Sequence, residues 1–299
     1  MQNNNHTKFI LTPLTMIVDE AVNACKGLGY GIETYSLSEY VFQTTFLKMT
    51  GASEQKLKCI CWDCATYDYD YRYRFLKKNY GECSRYEDIN SVYSDLKKVV
   101  MKVNPSFTIS YLLEDINITK YLQECLNNRI TKAIDKEKKK KCLSDEDEAK
   151  MIVGVQKFYR NKELSVKEKQ FLKKRGLLDL INKRIISILD HSVLSIWRQY
   201  DYELYKKTWN DILLADFATE TIFDDKLRKN YITIVYNHRN RCAHNLTSYQ
   251  ENLPTLKTLI DKSHCYNNYF FRFAILILID EIFMRLYRHF LLSINKGIY

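Results

Sequence analysis

The chain has 299 residues, 46% of them hydrophobic and 27% charged, with a formal net charge of +10. That content supports a sizeable core and excludes a wholly disordered chain, while eight Gly and three Pro are too few for a fold built from many strands and turns. Nine scattered Cys argue against a disulfide framework and for a reducing cytoplasm, and the basic balance favours polyanionic partners.

The opening "MQNNNHTKFILTP" lacks the charged start and long apolar run of a signal peptide. Thr12 and Pro13 read as the cap and first position of a helix carrying Leu14, Ile17, Val18 and Ala21, which Gly27 and Gly29 end. Ser36 with Glu39 has capping-box spacing. "YVFQTTFLKM" and "EQKLKCICWDCATYDYDYRYRFLKK" then read as one long helix or two stacked helices around Gly51. "YDYDYRYRF" alternates with the period of a strand, but no turn signal or partner strand lies nearby, so helix is expected there too. On that helix Cys59, Cys61 and Cys64 point in different directions and, with Cys83, read as small buried hydrophobes rather than zinc ligands.

Further helices are expected at about 86–103, 108–134 and 145–160, with a break at Asn104 and Pro105. Residues 135–150, "DKEKKKKCLSDEDEAK", set a basic block against an acidic one, which predicts a charged linker or an exposed helical hairpin. The chain is thus divided into a helical region 1–134, this segment, and a helical domain 151–299. Ser165 with Glu168 caps a helix expected to end at Gly176, and long amphipathic material follows. After the segment 224–245 come a polar loop to about 254 and a final helix near 266–293. Its run "FFRFAILILIDEIF" is interrupted by Arg272, Asp280 and Glu281, leaving too few apolar residues to cross a bilayer, so it reads as a core helix with no membrane partner. The fold expected is an all-α helical bundle with a long C-terminal helix.

The chemistry concentrates in "TIVYNHRNRCAHNLTSY", residues 233–249. On a helix Asn237, Asn240 and His244 share one face, whereas Arg239 is turned about 140° from His244 by the 3.6-residue period. For both to act on one phosphate the helix must start or bend here, the arginine must reach around, or two copies must face each other. RNA carries its own nucleophile in the 2′-hydroxyl, so its cleavage needs a base, a cation at the phosphoryl oxygens and a proton for the leaving oxygen. His244 suits the first or last role and Arg239 the second, with Asn240 orienting the imidazole or binding phosphate. No metal or other cofactor is called for. A buried Asn, Arg and His network tying helices together is the alternative these residues leave open.

This stretch resembles the HEPN family, whose mark is an arginine, four to six intervening residues and a histidine, often with a polar residue directly after the arginine. Here the match is Arg239, Asn240, Arg241, Cys242, Ala243 and His244. The order of elements is similar over about residues 165–299, and the N-terminal half has a looser similarity to helical parts of bacterial abortive-infection proteins. The resemblance implies a HEPN-like fold and a metal-independent cytoplasmic endoribonuclease, commonly a toxin or antiphage effector. Arg239 and His244 would be catalytic, Asn240 would support them, and Asn237, His238, Arg241 and Asn245 would contact RNA. Two motifs commonly meet across a dimer in such proteins. The second candidate here, Arg184 to His191, has Ile185 where a polar residue is expected, so a homodimer is implied. Relatives with a nucleotidyltransferase antitoxin carry a tyrosine two residues after the histidine. This chain has Leu246 there, with Tyr249 close by, which sets it apart from that subgroup while leaving an antitoxin or regulatory partner open. A non-catalytic RNA- or partner-binding module, in which the motif only grips phosphate, is the other function the residues allow.

Overall fold

The computed structural model describes residues 5–77, 83–140, 145–160, 164–212, 217–244 and 267–296. Within them the chain forms helices and short turns with no strand, and one isolated antiparallel bridge joins Phe217 to Phe223. The helices are α1 (Asn5–Leu11), α2 (Thr15–Ala24), α3 (Tyr35–Tyr67), α4 (Tyr69–Lys77), α5 (Tyr86–Val103), α6 (Thr119–Lys140) and α7 (Asp145–Arg160). They continue as α8 (Val166–Leu189), α9 (Val193–Trp197), α10 (Gln199–Ile212), α11 (Asp225–Asn230), a π-helical segment (Tyr231–Tyr236), α12 (Asn237–His244) and α13 (Tyr269–Lys296). The structure is an all-α bundle with a long C-terminal helix, and no helix among the described residues is long and apolar enough to cross a membrane.

The chain groups into two compact units, Met1–Leu112 with Leu180–Tyr299, and Leu113–Asp179. The charged stretch 135–150 falls within the second of these units. The larger unit draws on both ends of the chain because its centre is the C-terminal helix α13, which packs against α3, α5 and α10. Every residue from Asn268 to Tyr287 is buried, the pattern of a helix enclosed on all sides. Phe42 of α3 stacks on Tyr269 with ring centroids 5.2 Å apart and meets Phe270 edge-on, while Tyr205 of α10 sits edge-on to Phe271. Helix α5 contributes an amphipathic face, with Ile89, Val92, Tyr93, Leu96, Val99 and Val100 buried at helical spacing.

The charges that interrupt the apolar run of α13 are partnered inside the bundle, as buried charges must be. Asp280 Oδ1 pairs with Lys56 Nζ of α3 at 2.5 Å, both side chains nearly inaccessible, and its Oδ2 accepts from the Leu14 amide at 2.8 Å. Glu281 takes Arg285 at 2.9 Å and Arg184 at 3.0 Å, and Arg285 also donates to the Leu112 carbonyl. The cap of α2 is therefore supplied from α13. Thr12, the expected cap, donates its hydroxyl backwards to the Lys8 carbonyl and closes α1 instead.

The expected capping box at Ser36 is likewise absent, because Ser36 lies inside α3 and Glu39 is engaged by Arg198 and by the Tyr269 hydroxyl. Helix α3 runs through Gly51 for 33 residues and breaks at Asp68, whose extended backbone and side chain, accepting from the Tyr71 amide, start α4. "YDYDYRYRF" is thus helical on either side of a break at Asp68, and not a strand.

In the smaller unit α6 and α7 pack on each other, and Lys138 pairs with Glu148, so the basic and acidic blocks belong to a helical hairpin. Ser165 and Glu168 form the reciprocal capping box that their spacing predicts. Gly176 does not end the helix. A Cβ there would lie 2.5 Å from Ile116 Cγ2, so the glycine serves a close approach within α8.

Replacing Asp280 by Ala strands the Lys56 ammonium in the core and uncaps α2, and should lower unfolding free energy by about 3–5 kcal/mol. Urea denaturation checks this, and the double replacement Lys56→Met with Asp280→Leu should cost less than Asp280→Ala alone.

Candidate functional site

The motif helix is reached through a short turn docked on α5. The Tyr86 hydroxyl donates to the Phe223 carbonyl at 3.0 Å, the Tyr93 hydroxyl to the Thr219 carbonyl at 3.2 Å, and the Ile222 amide to Asn90 Oδ1 at 2.9 Å. Directly after it Asp224 caps α11, its Oδ1 accepting from the Leu227 amide at 2.8 Å. The helix then widens. Over Tyr231–Tyr236 the bonding is π-helical, and the Asn237 amide reaches five residues back to the Ile232 carbonyl. Such wide turns recur at functional sites and are held by outside partners. Here the Tyr231 hydroxyl donates to the Ser84 carbonyl, and Arg272 Nε of α13 donates to the Ile234 carbonyl at 3.0 Å.

The residues of α12 point to different surroundings. Arg239 turns toward α3, where its Nη2 lies 3.3 Å from Glu54 Oε1, with side-chain exposures of 17% and 14%. Its Nη1 donates to Asn240 Oδ1 at 3.3 Å. Thr50, Ser53, Glu54, Ser84, Tyr236 and Arg239 help line a cavity of about 10 Å³ beside this pair, room for about one water. Asn237 is exposed on the other side, and Asn240 and Arg241 are half-buried.

His238 is placed as a packing residue. Its ring lies 5.1 Å from Phe46 and 5.3 Å from Tyr269, Nδ1 is 3.5 Å from Arg241 Nη2, and Nε2 is 3.4 Å from Cys242 Sγ. Burial first, then the charges of Arg272 and Arg241, push its pKa down to about 3, so it is neutral and carries no exchangeable charge near neutrality. Arg272, buried to 4% exposure over the Tyr269 ring, is itself pushed down to about 10 by burial. The site therefore holds three arginines, Arg239, Arg241 and Arg272, with Glu54 and Glu39 as the acids on α3.

His244 is the last residue of α12, and its side chain lies outside the described residues, as do Asn245, Leu246, Tyr249 and the polar loop to 254. The backbone runs as a regular helix from 237 to 244, so positions 239 and 244 keep the angular separation read from their spacing. Arg184 and His191 are engaged elsewhere. Arg184 pairs with Glu281, and His191, past the end of α8 with φ +59°, is almost fully exposed with only Asp190 at 3.9 Å. Cys61 and Cys64 are buried in α3, and burial raises the Cys64 thiol well above its ordinary value. Among the described residues no group of three or more His, Cys, Asp or Glu could hold a metal ion.

Sequence reading did not find Glu54 or Arg272 as members of this site. Glu54 carries no local signal, being one of several charged positions on a long helix. Arg272 does carry one, as a cation in the middle of an otherwise apolar run, but the run by itself marks only an interruption and no partner. No family model matches the chain, and no curated protein or solved structure matches it.

Because His238 stays neutral when folded but accepts a proton near pH 6.5 when unfolded, the unfolded state binds more protons below that pH. Stability should fall as pH drops from about 6.5 toward 3, by roughly 1 kcal/mol per pH unit from this residue. Denaturation midpoints measured across that range for the native chain and for His238→Gln would check it, the variant giving the flatter profile.

Proposed function

We propose that the protein is a metal-independent endoribonuclease of the HEPN type, acting in the cytoplasm as a toxin or antiphage abortive-infection effector. The observation that carries the reading is Arg239 hydrogen-bonded to Asn240 on a helix that begins immediately after a π turn and ends at His244. The guanidinium would bind the scissile phosphate and stabilise charge on its non-bridging oxygens. His244 would take the proton from the 2′-hydroxyl or give one to the leaving 5′-oxygen, producing a 2′,3′-cyclic phosphate. Residues 239 and 244 face apart on α12, so two copies of the chain in a homodimer would complete one site. Asn237, Asn240 and Arg241 are the described residues beside it available to contact RNA, and His238 would act through packing. Asn245 would join them from beyond α12, and an antitoxin or other regulatory partner would restrain the enzyme.

The ion pair between Arg239 and Glu54 favours a second reading, a non-catalytic helical module that binds RNA or a partner. Total RNA incubated with the purified chain in EDTA separates the two. On the first reading new fragments with 2′,3′-cyclic phosphate ends appear, and Arg239→Ala or His244→Ala each lowers the cutting rate at least about 100-fold with the helical spectrum intact. Intact RNA, or equal cutting by His244→Ala, would sink it, while salt-sensitive binding without cleavage would support the module.

A further inference from the structure

We propose that Glu54 is a built-in inhibitor of this site, holding Arg239 closed against α3 so that phosphate engages only when the pair opens. The inference rests on the reading of Arg239 as the phosphate-binding cation. A carboxylate and a phosphodiester compete for the same face of a guanidinium, because both present two oxygens to its planar fork. Glu54 occupies Nη2, and Asn240 occupies Nη1. What remains beside them is a cleft with room for about one water, so a phosphoryl group engaging Arg239 there would have to displace Glu54 from Nη2.

A carboxylate that merely positioned the arginine would leave its outer edge facing a space of substrate size. Here Glu54 and Asn240 each take one guanidinium nitrogen, and the space beside them holds about one water. Glu54 itself is fixed, for it stands in the middle of α3, which Phe42, Phe46 and Lys56 tie to α13. Opening therefore falls to α12. The wide turn just before it, with a bonding pattern less stable than the α-helix and a carbonyl held by Arg272, is the point at which α12 can shift while α3 stays in place.

The test compares the full-length native chain, Glu54→Gln, Glu54→Gln with Arg239→Ala, and Glu220→Gln, which removes an exposed carboxylate elsewhere and controls for net charge. The probe is a fluorescein-labelled, 2′-O-methyl RNA 12-mer, which lacks the nucleophile and cannot be cut, followed by anisotropy. Cleavage of total RNA in EDTA is measured alongside. Glu54→Gln should bind at least tenfold tighter than both the native chain and Glu220→Gln, and the gain should vanish in the double variant. Binding equal to that of Glu220→Gln, or a gain that survives loss of Arg239, overturns the proposal. So does weaker binding or slower cutting by Glu54→Gln, which would make Glu54 a positioning residue. Should Glu54→Gln fail to fold, Glu54→Asp, with its shorter arm, should show a smaller gain in the same direction, and no gain overturns the proposal. Absence of cleavage by every variant would defeat the ribonuclease reading, and the Arg239-dependent change in binding would still decide the inhibitor.

Discussion

A carboxylate in the centre of the bundle, Asp280, does two jobs that ordinarily belong to different parts of a protein. It neutralises Lys56 of α3 and caps the first turn of α2 through the Leu14 amide. The carboxylate is buried, and both contacts bind N-terminal helices to the C-terminal one. An apolar α13 alone would be attracted to any apolar surface with little preference for angle or register, since burial is non-directional. The buried pair fixes which turn of α3 meets which turn of α13. The register so set brings Phe42 and Phe46 to the aromatic layer that encloses His238 and Tyr269.

The candidate site inherits its geometry from that frame. Arg272, two turns before Asp280 on the same helix, reaches the π segment, and Glu54, two residues before Lys56, reaches Arg239. The same two helices thus hold the core together on one side of each and grip the motif helix on another. This couples the site to the fold, so that substitutions at Lys56 or Asp280 will act on the site indirectly. It also gives the cluster of arginines a rigid backing in a region where their mutual repulsion would otherwise push α12 outward.

The helices were legible in the sequence wherever apolar spacing was strong. The expected 86–103 and 145–160 coincide with α5 and α7, and the capping box at Ser165 was readable because both of its partners lie within one turn. Caps supplied from far along the chain were not readable. Thr12 and Ser36 look like caps locally, but Asp280 and the pull of Arg198 on Glu39 decide the outcome. Gly176 misled for a similar reason, since a glycine can end a helix or allow another segment to approach, and only Ile116 tells which. At the site, the offset between Arg239 and position 244 was legible from periodicity alone. Glu54, the partner that gives the offset a direction, was not, because an ion pair leaves no pattern in either of the two segments it joins.

The π segment carries a consequence for the numbering of the site itself. One extra residue accommodated in a wide turn advances everything after it by a single place, so each residue of α12 occupies the direction that its predecessor would take in an uninterrupted helix, a rotation of about 100°. Without that turn His238 would face Glu54 and Arg239 would swing away from α3. The identity of the residue presented to the acid is therefore encoded less by the motif than by a backbone irregularity several residues upstream. A one-residue deletion within Tyr231–Tyr236 would leave the motif's letters intact while changing what each of them touches.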